Sequence, residues 1–100
     1  MAGPERRSQR RERVGYPVRV RADGEEFDGV VDNLGTNGAL IVTSHLEAAL
    51  DVGSTVHLEI DMGNGPVIAD GEVLRIEQEF SEGDIRLSFA VKFAQPIALE

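Results

Sequence analysis

Apolar and polar residues alternate along much of this chain with the two-residue period of β-strands. Three segments are regular, with apolar residues at Val14, Tyr16, Val18 and Val20, at Val56, Leu58, Ile60 and Met62, and at Ile85, Leu87, Phe89, Val91 and Phe93. Because successive side chains of a strand point to opposite faces, each segment presents one apolar face and one polar face. The apolar runs FDGVVDNL (residues 27–34) and GALIVTS (residues 38–44) predict two further strands.

The segment PVIADGEVLRIEQEF, residues 66–80, is longer and changes its phase. Val67, Ala69 and Val73 share one parity. Leu74 and Ile76 continue the apolar pattern on the other parity. Such a change predicts a bulge or a sharp bend near Val73, and a long bent strand helps a sheet to curl on itself.

Turn-forming segments separate the strands. Each contains Gly with Asn, Asp or Pro, and they are ADGEE, DNLGTNG, DVG, MGNGP and SEGD. Only HLEAAL, residues 45–50, has helical propensity, and it is too short for more than a turn or two of helix. Six short strands joined by such turns predict an all-β fold, either an antiparallel barrel or a sandwich. No internal repeat or linker divides the chain, so we expect a single domain.

The composition is that of a small globular protein. A chain of 100 residues, 41% of them hydrophobic, can bury a modest core without disulfides or metal. The absence of cysteine excludes a disulfide framework and a thiolate metal site. No apolar run approaches the roughly 18 residues of a membrane span, and no signal-peptide core follows the basic start. We therefore expect a cytoplasmic protein without membrane insertion.

Basic charge is concentrated at the N-terminal end. Residues 1–21 contain seven arginines and two glutamates, a balance of +5; residues 22–100 contain three basic and 16 acidic residues, a balance of −13, and the two sum to the formal net charge of −8. Such an acidic body repels long polyanions, so binding of a nucleic acid polymer is disfavoured. A compact anion suits the basic arm better. The structural alternative is a solvated tail, or a tail that lies on the acidic body.

Candidate catalytic groups are few. His45 and His57 are the two histidines, and their spacing matches no metal-binding element. His57 falls on the polar face of its strand, and His45 begins the HLEAAL segment, where a local capping role is expected. The glycine-rich turns do not match the phosphate-binding loops of nucleotide enzymes. The sequence therefore predicts a binding protein, with no catalytic residues and no metal site.

Two stretches together resemble the motif pair of the PilZ family of cyclic di-GMP receptors. RRSQRR matches the family's RRxxxR motif with Arg6, Arg7 and Arg11. NLGTNG matches its [D/N]xSxxG motif with Asn33 and Gly38. The segments GALI, VGSTVHLEI, GEVLRI and FAVKF are similar to that family's successive strands, so the resemblance covers nearly all of residues 5–95.

The resemblance implies a six-stranded antiparallel β-barrel over residues 14–100, preceded by a flexible arginine-rich arm over residues 1–13. It also implies a receptor for cyclic di-GMP in bacterial second-messenger signalling, with no further cofactor. In the family, the ligand draws the arm across the barrel and creates a surface for a downstream protein partner, a disorder-to-order switch. Motility, biofilm formation and polysaccharide output are the processes that the resemblance suggests.

The ligand-binding residues implied by this resemblance are Arg6, Arg7, Arg10, Arg11, Asn33, Gly35 and Gly38. A guanidinium group can fork onto phosphate oxygens or onto guanine O6 and N7, and it can stack on a purine. Asn33 is expected to bond a guanine, while Gly38 lets the backbone approach the ligand closely. Gly35 stands where the family usually has Ser, which removes one hydroxyl able to bond the ligand.

Two other interpretations remain open. One is a degenerate adaptor that has lost nucleotide binding and acts through protein contacts; Gly35 favours it, and the arginine motif opposes it. The other is a barrel that binds single-stranded nucleic acid, which usually requires exposed stacking aromatics. The aromatic residues mostly fall at positions expected to face the core, and they are Tyr16, Phe27, Phe80, Phe89 and Phe93.

Overall fold

The computed structural model describes residues 12–45, 50–81 and 83–98, with the backbone alone at Glu12, Arg13 and Ser81. The strands are β1 (Glu12–Ala22), β2 (Glu25–Leu34), β3 (Gly38–Thr43), β4 (Thr55–Asp61), β5 (Pro66–Ser81) and β6 (Asp84–Phe93). They form a closed barrel in the order β1-β2-β3-β6-β5-β4, with every neighbouring pair antiparallel. The predicted all-β, six-stranded antiparallel barrel is confirmed. Strand β1 begins at Glu12, two residues before the boundary expected at Val14.

The barrel interior is filled by the apolar face of every strand. The fully buried side chains include Val20 of β1, Ile41 of β3, Leu58 of β4 and Phe89 of β6. Burying one such side chain stabilises the fold by roughly 1.5–3 kcal/mol. The two-residue alternation of the sequence is therefore what determines which residues form the core.

The turn between β1 and β2 consists of Asp23 and Gly24, with φ angles of 52° and 79°. Two consecutive positive φ values are typical of a type I′ turn, whose twist matches that of the strands it joins. The ADGEE segment thus forms a tight hairpin. The helical turn expected at residues 45–50 falls mainly on residues 46–49, which lie outside the described residues.

Strand β5 is the longest strand, with 16 residues, and its pairing with β6 shifts register between Val73 and Arg75. The bulge predicted near Val73 is thereby confirmed. Strand β4 pairs with β5 only as far as Glu72, and β3 pairs with β6 only from Leu87 onward. Residues 74–81 and 83–86 therefore continue past the barrel as two strand segments that pair with each other, called the ribbon below.

The ribbon exposes apolar side chains. Phe80 is 71% exposed and lies opposite Ile85, which is 43% exposed. Phe27, Phe89 and Phe93 are buried, as expected for most of the aromatic residues, whereas Phe80 is exposed because this part of β5 extends past the barrel. Among the described residues, no helix is long and apolar enough to cross a membrane.

Candidate functional site

The NLGTNG motif forms the end of β2, a short loop and the start of β3. The Gly35 N–H group donates a hydrogen bond to the Gly38 carbonyl at 2.9 Å, which closes the loop. Asn33 and Gly35 are half-buried, whereas Thr36 and Asn37 are exposed at the loop tip. The motif therefore presents a short, closed loop at one end of the barrel.

Residues from the C-terminal end of the chain hold this loop in place. The Phe93 N–H group donates to the Asn37 carbonyl at 2.8 Å, and the Ile97 N–H group donates to the Thr36 carbonyl at 2.9 Å. Ile97 also packs against the core. Nothing in the local sequence predicts this support, because residues so far apart in the chain carry no local signal of their contact.

Gly38 lies where β3 approaches the backbone of β6. A Cβ atom at position 38 would stand 2.5 Å from the Val91 carbonyl oxygen, a distance that real Cβ atoms do not adopt. The φ angle of Gly38 lies outside the left-handed region, so its importance is steric and not conformational. The close approach between two strands of the barrel requires Gly38 whether or not a ligand is bound.

Asn33 lies between the backbones of two neighbouring strands. Its register partners are Arg13 on β1 and Leu40 on β3. The register shifts beside it on both sides, between Arg13 and Tyr16 on β1 and between Val31 and Asn33 on β2. Bulges of this kind redirect side chains and are frequent near binding sites. The local irregularity of β2 thus coincides with the motif.

The four arginines of the predicted site, Arg6, Arg7, Arg10 and Arg11, lie outside the described residues. The backbone that follows them is described, and Glu12 pairs with Leu34 while Arg13 pairs with Asn33. The arm therefore joins the barrel directly beside the NLGTNG motif. Arg13, which was not among the predicted site residues, has its backbone closer to Asn33 in register than any other residue of β1.

The two arginines farther along β1 have carboxylate partners on β2. Arg21 Nη2 lies 2.8 Å from Glu26 Oε2, and Arg19 Nε lies 3.5 Å from Asp28 Oδ1. The hydrogen bond from Arg21, with a further contribution from the charges of Arg21 and Arg19, lowers the pKa of Glu26 below its ordinary value. Cross-strand pairing thus explains these two arginines without a ligand.

The histidines have structural partners. His57 Nδ1 lies 2.6 Å from Asp70 Oδ1 on the outer surface of the barrel. The His45 ring stacks on Phe27 with 5.4 Å between centroids, and its backbone N–H donates to Thr43 Oγ1 at 3.0 Å. Across the described part of the chain, no group of three or more His, Cys, Asp or Glu residues is arranged to hold a metal ion.

Comparison with known proteins places these features in a family. The family model described as PilZ domain matches residues 5–100. The PilZ domain of YcgR from Escherichia coli, solved with c-di-GMP, has a TM-score of 0.73 at 17% identity, over 90% of this chain and 79% of that chain. No curated protein sequence matches this chain.

Two longer proteins have the same fold. MotI/DgrA of Bacillus subtilis, described as an inhibitor of motility, has a TM-score of 0.70 at 16% identity, over 95% of this chain and 46% of that chain. The MrkH–c-di-GMP complex of K. pneumonia has a TM-score of 0.70 at 17% identity, over 90% of this chain and 45% of that chain. The chain thus spans about half the length of these two proteins, and at such identities the likeness shows the fold.

Proposed function

The chain belongs to the PilZ domain family, and on that premise we propose that it is a receptor for cyclic di-GMP that acts as an adaptor and not as an enzyme. The observation that carries this proposal is the pairing of Glu12 with Leu34 and of Arg13 with Asn33. This pairing anchors the arginine arm next to the second motif of the pair. Similar domains of YcgR and MrkH have been solved with c-di-GMP, which supports the same ligand class here.

The arginine arm supplies the charged half of the site. Arg6, Arg7, Arg10 and Arg11 follow one another within six residues, so several guanidinium groups can reach one compact ligand. Cyclic di-GMP presents two phosphates and two guanines, and a guanidinium can fork onto either group or stack on the base. The ligand orders the arm over the barrel, because the arginines then exchange weak surface contacts for charge-assisted hydrogen bonds.

The NLGTNG loop supplies the fixed half of the site. Asn33 offers an amide that both donates and accepts hydrogen bonds to a guanine edge. Gly35 and Gly38 have no side chains that would stand between the loop and the ligand, so the ligand can approach the loop backbone. The hydrogen bonds from Phe93 and Ile97 hold the loop before the ligand arrives, which reduces the entropy lost on binding.

The closed arm then presents a changed surface to a downstream protein partner. Ordering of a segment by a small ligand is a recurrent way to create such a surface. We place this event in the cytoplasm and in the control of motility or biofilm formation. The description of MotI as an inhibitor of motility supports the first of these processes.

The test is an isothermal titration of the full chain with cyclic di-GMP. We expect saturable heat from the wild type, none from Arg7→Ala, and none from the wild type titrated with GTP. Arg86→Ala is the matched control, since Arg86 lies on the ribbon, at the other end of β6 from the loop, and should leave binding unchanged. A wild type that releases no heat at millimolar ligand contradicts the receptor proposal.

The second candidate is an adaptor that has lost nucleotide binding, and Gly35 is the residue that favours it. Gly35→Ser restores the hydroxyl that the family usually carries at this position. A net hydrogen bond contributes about 0.5–1.5 kcal/mol, so a functional receptor gains roughly 2- to 10-fold in affinity from this change. If neither the wild type nor Gly35→Ser releases heat in the titration with cyclic di-GMP, the result favours the adaptor that has lost nucleotide binding.

A further inference from the structure

The ribbon has an open strand edge. Residues Arg75 to Ser81 of β5 pair with β6 on one side, whereas the pairing of β5 with β4 ends at Glu72. Within the described part of the chain, no strand pairs with the other side of this segment. An open edge is a template for another strand, and proteins either blunt it or use it.

Most side chains along this edge are exposed, although Ile76 is half-buried against the core. Leu74 is 51% exposed and Phe80 is 71% exposed, while Arg75 and Glu77 form a weak ion pair at 3.5 Å on the surface. Apolar residues at the two ends of the segment thus flank charged residues. A partner strand must place apolar side chains against the two ends of the segment and opposite charges against its charged residues.

A second copy of the same strand meets both requirements. When two β5 edges pair antiparallel about Glu77, residue 74 lies opposite residue 80 and residue 75 opposite residue 79. Leu74 of one copy then faces Phe80 of the other, and Arg75 faces Glu79, each pair occurring twice by symmetry. Ile76 faces Gln78, and the one like-charge pair is Glu77 with its own counterpart.

This register also fits the length of the free edge. It uses residues 74–80, which lie entirely beyond the end of the β4 pairing at Glu72. A register centred one residue earlier, on Ile76, would place Leu74 opposite Gln78 and would leave Phe80 without an apolar partner. The pairing of the exposed apolar side chains therefore favours the arrangement centred on Glu77.

We propose that the β5 edge of the ribbon is an interface between two copies of this chain, paired antiparallel about Glu77. The ribbon tip and the NLGTNG loop lie at opposite ends of β6, which pairs with β3 from Leu87 to Lys92. The interface is therefore separate from the proposed ligand site and does not depend on it. An edge of seven residues makes a small interface, so the dimer is weak and forms at high concentration.

Charge reversal tests the register in the full chain. Arg75→Glu places two Glu–Glu pairs in the interface, and Glu79→Arg places two Arg–Arg pairs there, so we expect each variant alone to remain monomeric. An equimolar mixture restores both opposite-charge pairs and should associate. The net charges of the two variants are −8 − 2 = −10 and −8 + 2 = −6. General attraction between two acidic chains therefore cannot explain association of the mixture.

Sedimentation equilibrium over roughly 10 μM to 1 mM provides the measurement. The average mass of the wild type should rise from 10.9 kDa toward twice that value, and Glu77→Gln should shift the rise to lower concentration. Ile68→Ser is the matched control, because Ile68 is 53% exposed on a part of β5 that pairs with β4. Circular dichroism of each variant verifies its fold.

Two outcomes overturn the proposal. One is a wild type that stays at the monomer mass over the whole range. The other is a dimer that Arg75→Glu leaves intact, or a mixture of the two charge variants that stays monomeric, because either result places the contact elsewhere. Loss of association in Ile68→Ser would also locate the interface away from the ribbon.

Discussion

A side chain at position 38 has no room in this barrel. The Cβ atom of an alanine there would stand 2.5 Å from the Val91 carbonyl oxygen, and a strand backbone cannot move away without breaking its pairing. The same β6 segment also approaches Gly71 of β5, where a Cβ atom would stand 2.6 Å from the Lys92 carbonyl oxygen. Glycines on both neighbours of β6 thus allow the barrel to close tightly.

We predict that Gly38→Ala lowers the free energy of unfolding by about 1–3 kcal/mol, the cost of overpacking a tight contact. Urea denaturation measures the change. Gly15→Ala is the control, because Gly15 is exposed, has an ordinary φ angle, and a Cβ atom added there would meet nothing within 4 Å. A Gly38→Ala protein as stable as the wild type would contradict this steric explanation, and weaker binding of cyclic di-GMP by that protein would leave ligand contact as the role of Gly38.

Pairs of charged side chains link neighbouring strands on the outer surface. Arg21 on β1 and Glu26 on β2 are register partners as well as hydrogen-bond partners, so the ion pair reinforces the hairpin. Both side chains are exposed, and an exposed pair contributes little to stability. Its effect is therefore easier to detect as a pKa change than as a change in unfolding.

We predict that Arg21→Ala raises the pKa of Glu26 toward 4.5, its ordinary value, because the hydrogen bond from Arg21 is what chiefly lowers it. A carboxyl whose pKa is lower in the folded state contributes stability above its unfolded pKa and loses it as pH falls through the folded pKa. The pair therefore acts at neutral pH and is lost in acid. A carbon-detected NMR titration of Glu26 measures the shift, with Arg86→Ala as the control. An unchanged pKa in Arg21→Ala contradicts this explanation.

The β5 strand shows how one irregularity divides an element between two roles. Before Val73 the strand belongs to the barrel, where Val73 itself is fully buried. After the register shift it belongs to the ribbon, where Leu74 and Phe80 are exposed. The bulge changes which face of the strand meets the core, and the end of β4 leaves the rest of the strand without an outer neighbour among the described residues.

Charge is distributed unevenly over the molecule as a whole. Residues 1–13, the arm, carry five arginines and two glutamates, a balance of +3, and residues 14–100 carry −11, so opposite charges favour attraction between the arm and the barrel. On the proposed function, cyclic di-GMP must compete with that attraction for the arginines of the arm. The balance between the two interactions depends on ionic strength, because both partners are at the surface.

We predict that raising KCl from 0.1 M to 1 M weakens binding of cyclic di-GMP several-fold, as the Debye length falls from about 10 Å to about 3 Å. Titration calorimetry at a series of salt concentrations measures the change, and thermal denaturation in the same buffers verifies that the fold persists. An affinity independent of salt would indicate that base stacking and uncharged hydrogen bonds dominate the site.

The local sequence was sufficient to predict several features of the fold. Alternation located the strands, Asp23-Gly24 located a tight turn, and the change of phase near Val73 located the bulge. Each of these depends on residues that are near one another in the chain. Two short motifs and their spacing, which are also properties of the sequence, were sufficient to predict membership of the PilZ family.

The sequence by itself determined the strands, the turns, the apolar face of the barrel and the charge of the arm, because side-chain period and composition act locally. Only the tertiary structure decided which strands became neighbours, and with them the contact of Gly38 with Val91, the support of the NLGTNG loop by Ile97 and the exposure of Phe80. These depend on closure of the barrel, which brings together residues far apart in the chain and leaves part of β5 beyond the end of its pairing with β4.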